Sequence, residues 1–227
     1  MTTRLAIWDV DGTLVDSRSS IFRAAVEAAE AIGVTPPAYD QMRAIVGVSL
    51  YQALEMMRPD LDPPTIAAYT REFQQAFLRF HADPGFHDAL YPGADRALRA
   101  LKNQGWRLGM ATGNSRRGVN RCLDVYDWHD LFDVTFCADD GPSKPHPHMV
   151  HGNLSGVGAA VHQAVMVGDT GHDMKMARQA GVRAIGVTWG FHTGAELHAA
   201  GADLIVHDFA ELEDHLAAFV PQKSVQF

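Results

Sequence analysis

Apolar residues along this chain gather into short unbroken runs, and each run stops at a residue able to do chemistry. Residues 4–10 read as a strand buried on both faces and ending at Asp9, and Asp11-Gly12-Thr13 breaks it. Residues 107–111, 164–168 and 184–188 have the same look, and 134–138 and 204–206 are weaker versions. Apolar positions at helical spacing fill the intervals at 93–103, 116–126, 171–180 and 210–219. Strands alternating with helices predict a doubly wound α/β core, a parallel sheet covered on both faces.

Residues 16–89 break that alternation and contain no strand pattern. Helical runs occur at 21–32, ended by Gly33, at 39–46, and at 50–57 before Pro59. Ile66, Tyr69, Phe73, Phe77 and Phe80 then recur at helical spacing. The pattern predicts an all-helical cap at 16–89 inserted into an α/β core formed by 1–15 and 90–227. Hinges are expected near 15–18 and 83–91, the second carrying Pro84 and Gly85. The phenylalanine stripe is expected to form cap interior and not a substrate platform, and 222–227 a frayed tail.

Composition adds limits. The chain has 227 residues, 47% of them apolar and 20% charged, enough for a substantial core and unlike a disordered chain. A formal net charge of -8 argues against broad nucleic-acid binding. Two cysteines, Cys122 and Cys137, do not make a disulfide framework and suit a cytoplasmic setting. The apolar run at the N-terminus is too short for a signal peptide and is interrupted by Asp9, and no run approaches the ~20 apolar residues of a membrane span. His146, His148 and His151 are closely spaced, but the first two flank Pro147, which argues against a zinc site.

Ligands of open parallel sheets sit at the carboxyl ends of the strands. Those ends hold Asp9 and Asp11, then Thr112-Gly113-Asn114, then Lys144 in a loop, then Asp169 with Asp173 four residues on. Four carboxylates, a hydroxyl, an ammonium and several exposed amides form an inventory for metal and phosphate. A carboxylate can attack phosphorus, provided its repulsion from a phosphate dianion is neutralised. Mg2+ does this and takes oxygen ligands, which Asp9, Asp169 and the main-chain carbonyl of Asp11 can supply. Asp11 lies on the same side of the strand as Asp9 and is free to protonate a leaving oxygen and then activate water. Thr112, the amides at Gly113 and Asn114, and Lys144 can hold phosphate oxygens.

The run Asp9-Val10-Asp11-Gly12-Thr13-Leu14-Val15-Asp16-Ser17 resembles the first motif of the haloacid dehalogenase-like hydrolases. Thr112, Lys144 within Ser143-Lys144-Pro145-His146-Pro147, and Gly168-Asp169 with Asp173 match the other three motifs in order. The helical insert resembles the cap of the subfamily containing phosphoglycolate phosphatases, and 187–191 and 201–203 resemble its tail. The resemblance implies Asp9 as nucleophile and magnesium ligand, and Asp11 as general acid and base. It implies Thr112 and Lys144 as phosphate ligands, Asp169 as a metal ligand, and Asp173 as a holder of metal waters or of Lys144. The expected substrate is a small phosphorylated metabolite such as phosphoglycolate. Sugar phosphates, nucleoside monophosphates, pyrophosphate and phosphoryl mutase action are the alternatives. Dehalogenation needs neither magnesium nor Asp11, and a non-catalytic regulatory binder has no use for both Asp9 and Asp11. In the cap, Arg18, Arg43 and Gly47-Val48-Ser49 are expected to meet the leaving group.

Overall fold

A computed structural model describes residues 3–83 and 86–221. Pro84 and Gly85 of the expected second hinge, and the expected tail at 222–227, lie outside the described residues. The chain runs β1 (Leu5–Trp8), β2 (Val15–Asp16), α1 (Arg18–Ala31), α2 (Tyr39–Arg43), α3 (Leu50–Met57) and α4 (Pro63–His81). It continues with β3 (Ala89–Leu90), α5 (Ala94–Asn103), β4 (Arg107–Ala111), α6 (Arg116–Tyr126), β5 (Val134–Phe136) and α7 (His148–Val157). The last elements are β6 (Ala164–Gly168), α8 (Gly171–Ala180), β7 (Arg183–Val187), α9 (Gly194–Ala199), β8 (Leu204–Val206) and α10 (Phe209–Ala217).

Six strands form one parallel sheet in the order β5-β4-β1-β6-β7-β8. Strand alternation explains why the runs are apolar throughout. Ala6 and Trp8 of β1 join one buried cluster with Leu98, Leu101 and Leu212, while Leu5 and Ile7 join another with Met149, Met166 and Met174. The sheet therefore has a helix layer on each face, as the alternation predicts. The order reverses around β1, so the central strand opens into the crevice where such sheets bind ligands.

Helices α1 to α4 pack on one another around Ala28, Met42, Leu54, Ile66 and Tyr69, and the Tyr69 hydroxyl donates to the Ala25 carbonyl at 2.8 Å. The short antiparallel ribbon of β2 and β3 joins the two ends of this helical cap to the core. The cap rests on the core at several points. Ser49 donates its N–H to Ser143 Oγ at 2.7 Å, and Arg43 donates to the Phe191 carbonyl at 3.1 Å. A Cβ at Gly113 would lie 2.6 Å from the Val48 carbonyl oxygen, so only glycine lets the cap loop approach this closely. No helix among the described residues is long and apolar enough to cross a membrane.

Candidate active site

Three adjacent strands deliver three side chains to one edge of the sheet. Asp9 follows β1, Thr112 follows β4 and Asp169 follows β6, and β4 and β6 flank β1. Asp9 keeps the register of β1 by donating its N–H to the Val167 carbonyl at 3.0 Å. The chain then turns sharply at Gly12, whose φ of +83° and closeness to the Asp169 carboxylate both require glycine. Lys144 enters from the loop after β5. All four side chains are buried, Lys144 and Asp169 completely.

Lys144 Nζ sits 2.7 Å from Asp9 Oδ1 and 2.6 Å from Asp173 Oδ1. Asp173 spends its other oxygen on the Thr170 hydroxyl at 2.6 Å and the Thr170 N–H at 3.1 Å, capping α8. Both oxygens of Asp173 are thus engaged, which favours holding Lys144 over ligating a metal directly. Asp169 accepts from the Thr13 hydroxyl and the Phe191 N–H, each at 2.8 Å. Asp9 Oδ2 is buried with no hydrogen-bond partner.

Three carboxylates share one ammonium here, and oxygens of Asp9, Asp169 and Asp173 lie within 4.8 Å of one another. Burial and the neighbouring Asp173 push the Asp9 pKa well above the carboxylate range, against the pull of Lys144. Burial and Asp173 raise Asp169 to about 7. Burial opposes the charge on Lys144, but Asp173 and Asp9 outweigh it and hold its pKa above the usual value. The excess of buried negative charge, the all-oxygen donor set and the orphaned Asp9 Oδ2 fit a hard divalent cation.

Asp11 is partly exposed to the cavity beside these groups, and Asn114 donates to its Oδ2 at 2.6 Å. Burial raises the Asp11 pKa and the amide of Asn114 opposes that rise. Asn114, expected on phosphate, therefore also orients Asp11, a link between two motifs that spacing does not reveal. Thr112 is buried at the end of β4, and its hydroxyl accepts from the Asn114 N–H at 3.2 Å. Trp189 supports the first loop from behind by donating Nε1 to the Thr13 carbonyl at 2.9 Å.

The two cap arginines have other partners. Arg18 forms a two-pronged pair with Asp16 at 2.7 Å, and Arg43 pairs with Asp40 at 3.0 Å and with Glu196 at 3.1 Å. Neither lines the cavity above Asp9. Gly47 and Val48 do line it, while Ser49 bonds the core loop. Asp139 accepts from the Arg116 N–H, and Asp140 accepts from the Arg116 guanidinium and the Cys137 N–H.

A group whose folded pKa is raised stabilises the fold below its unfolded pKa, and that stability is lost as pH rises through the folded value. For Asp169 the loss falls between about pH 4 and pH 7, so the cation-free site is least comfortable above neutrality. Burial depresses the pKa of His172 and of His192, which act in the opposite sense below about pH 6.5, so the informative quantity is the increment caused by the cation. Thermal unfolding with Mg2+ and with chelator should show a larger rise in Tm at pH 8 than at pH 5. The difference should reach several degrees, since about 1 kcal/mol moves Tm by ~2–4 °C in a chain of this size. Equal increments at both pH values would mean that these carboxylates do not receive the cation.

Known proteins resemble the chain in sequence and in fold. The sequence model of the family described as Haloacid dehalogenase-like hydrolase matches residues 6–187. "Probable phosphatase IndB" of Dickeya dadantii is 36% identical over 210 residues, covering 92% of this chain and 91% of that protein. A phosphoglycolate phosphatase of Psychrobacter arcticus is 28% identical, covering 97% and 99%. The crystal structure of a hydrolase from Pseudomonas syringae superposes with a TM-score of 0.84 at 23% identity over 97% of this chain and all of that one, which speaks for the fold. With a family match spanning all four strand-end motifs, the chain belongs to the haloacid dehalogenase-like hydrolases.

Proposed function

We propose that this chain is a magnesium-dependent phosphate monoester hydrolase that forms an aspartyl-phosphate on Asp9. The observation that carries the reading is the state of Asp9. One of its oxygens is fixed by Lys144 at 2.7 Å and the other is buried without a partner, beside a second carboxylate, Asp11, at the floor of a cavity. Asp9 attacks phosphorus, and Asp11 in its acid form gives its proton to the departing ester oxygen. Asp11, now ionised, takes a proton from water, which cleaves the acyl phosphate and frees Asp9. Lys144, the Thr112 hydroxyl and the amides of Gly113 and Asn114 hold the phosphate oxygens. Asp9, Asp169 and the Asp11 main-chain carbonyl would hold a magnesium ion, with Asp173 behind Lys144, and the ion would supply positive charge to offset the repulsion between carboxylate and phosphate.

Relatives named as phosphatases support hydrolysis of a small phosphorylated metabolite, and their names put phosphoglycolate and pyrophosphate among the compounds to test. The cap sits over the site, where it can exclude water during transfer. The two free, buried thiols of Cys122 and Cys137 suit a reducing compartment such as the cytoplasm. A nitrophenyl phosphate assay tests the reading. Hydrolysis should need Mg2+, stop in chelator and return with Mg2+ but not with Zn2+. Full turnover in excess chelator would oppose it.

A further inference from the structure

The cavity above Asp9 has two unlike walls. Its volume is about 340 Å³, within the ~300–1,000 Å³ range of pockets that take drug-sized ligands. The cap wall is built from side chains such as Met42, Leu54, Met57, Phe73, Phe77 and Leu78. Among the described residues the cap gives this lining no Lys, Arg, Asp or Glu. Phe73 and Phe77 lie nearly parallel, with ring centroids 6.1 Å apart and planes 10° apart, His81 packs against Phe77 at 4.3 Å, and all three rings line the cavity. The opposite wall belongs to α6. There Arg117 and Arg121, one helical turn apart, line the cavity, and among the described residues neither has a hydrogen-bond or ion-pair partner. Burial works against the charge of Arg121, and Asp88 and Asp11 act on it only through space.

We infer that the substrate is a phosphate ester whose alcohol half carries a ring-sized apolar body with an anionic or carbonyl-bearing end. The ring lies against Phe73 and Phe77 and the polar end meets Arg121. This rests on the phosphatase reading and narrows it. A two-carbon acid such as glycolate leaves the cap wall uncovered, and pyrophosphate sets a second phosphate against it. Burying a phenyl group on this wall should favour it over a methyl by about 10- to 100-fold. A charge-assisted bond to Arg121 should add about 10-fold or more.

The test compares kcat/KM for ethyl phosphate, 2-phenylethyl phosphate, its para-carboxylate analogue, phosphoglycolate and pyrophosphate. The three alkyl esters have alkoxide leaving groups of similar basicity, so the comparison reads the pocket and not the chemical step. The expected order is carboxylate analogue, phenylethyl, then ethyl, with phosphoglycolate and pyrophosphate at least 10-fold below the first. Phe77→Ala should shrink the phenylethyl-to-ethyl ratio about tenfold, and Arg121→Met should bring the ratio of carboxylate analogue to phenylethyl ester close to one. Preference for phosphoglycolate or pyrophosphate, or equal rates for ethyl and phenylethyl esters, would overturn the inference while leaving the phosphatase intact. Calorimetry with the matching non-hydrolysable phosphonates separates the other failure. Tight binding of the phenylethyl phosphonate without turnover of any ester would sink the hydrolysis and keep the pocket, whereas no preference among the phosphonates would sink the pocket.

Discussion

Asp9→Asn should lose at least about three orders of magnitude in kcat, the scale seen when a nucleophile is removed elsewhere. The amide keeps an oxygen for Lys144 and places an N–H2 group where Oδ2 stood without a partner, so the geometry should survive. What disappears is the electron pair that attacks phosphorus. Removing one charge from a cluster that already pushes the Asp9 pKa upward also relieves repulsion. The cation-free variant should therefore unfold at a Tm no lower than that of the parent in chelator. Substrate binding should persist, because Lys144, Thr112 and the loop amides are untouched. Single-turnover kinetics alongside thermal unfolding checks both parts. Near-parental kcat, or a collapse of stability, would each contradict the assigned state of Asp9.

Lys144→Met should damage both activity and stability. The side chain is fully buried and lies within 2.7 Å of Asp9 and 2.6 Å of Asp173. Methionine matches its length but leaves three buried carboxylates with no cation of the chain's own. Breaking a buried ion pair from one side costs about 3–5 kcal/mol, and in a chain of this size each 1 kcal/mol lowers Tm by ~2–4 °C. The sign of the pH effect is fixed. The uncompensated carboxylates can be protonated at low pH, so the loss should be smaller at pH 5 than at pH 8. Removing a donor aimed at transition-state charge should also lower kcat by about 10²–10³-fold. A variant as stable as the parent at pH 8 would show that Lys144 does not carry the balance of charge described here.

The polar edge of the sheet is legible in sequence because it obeys a local rule. A strand buried on both faces reads as an unbroken apolar run, and the polar residue that ends it must lie at the sheet edge. Asp9, Thr112 and Asp169 are found by that rule and lie side by side. Helix α7 is not legible, because its sequence carries Gly152 and Gly156, which weaken a helical pattern. Tertiary packing explains both: the Phe136 ring occupies the place of a Cβ at Gly152, and Val134 crowds Gly156. The surroundings of the cap arginines are illegible for a similar reason. Sequence shows a cation but not its partner, and Arg43 finds Glu196 153 residues away. The phenylalanine stripe on α4 is only in part the cap interior expected of it. Phe80 is buried with Ala24 and Ala76, while Phe73 and Phe77 pack against that cluster and also line the cavity. An apolar helix face does not announce which part of it meets a core and which part a ligand.

A covalent phosphoryl group on Asp9 is the intermediate that Asp11→Asn should expose. Asparagine can neither donate the proton that an alkoxide needs nor take one from water. A nitrophenolate leaves without that help, so the first step should proceed on nitrophenyl phosphate while hydrolysis of the acyl phosphate stalls. The direct measurement is acid quench of Asp11→Asn with this ester and Mg2+, followed by peptide mass analysis. The expected result is a peptide spanning Asp9 that carries one phosphoryl group, appearing with a burst of one nitrophenolate per chain and absent from Asp9→Asn. Turnover of an alkyl phosphate by Asp11→Asn at the parental rate, or a phosphoryl group on any other residue, would contradict it.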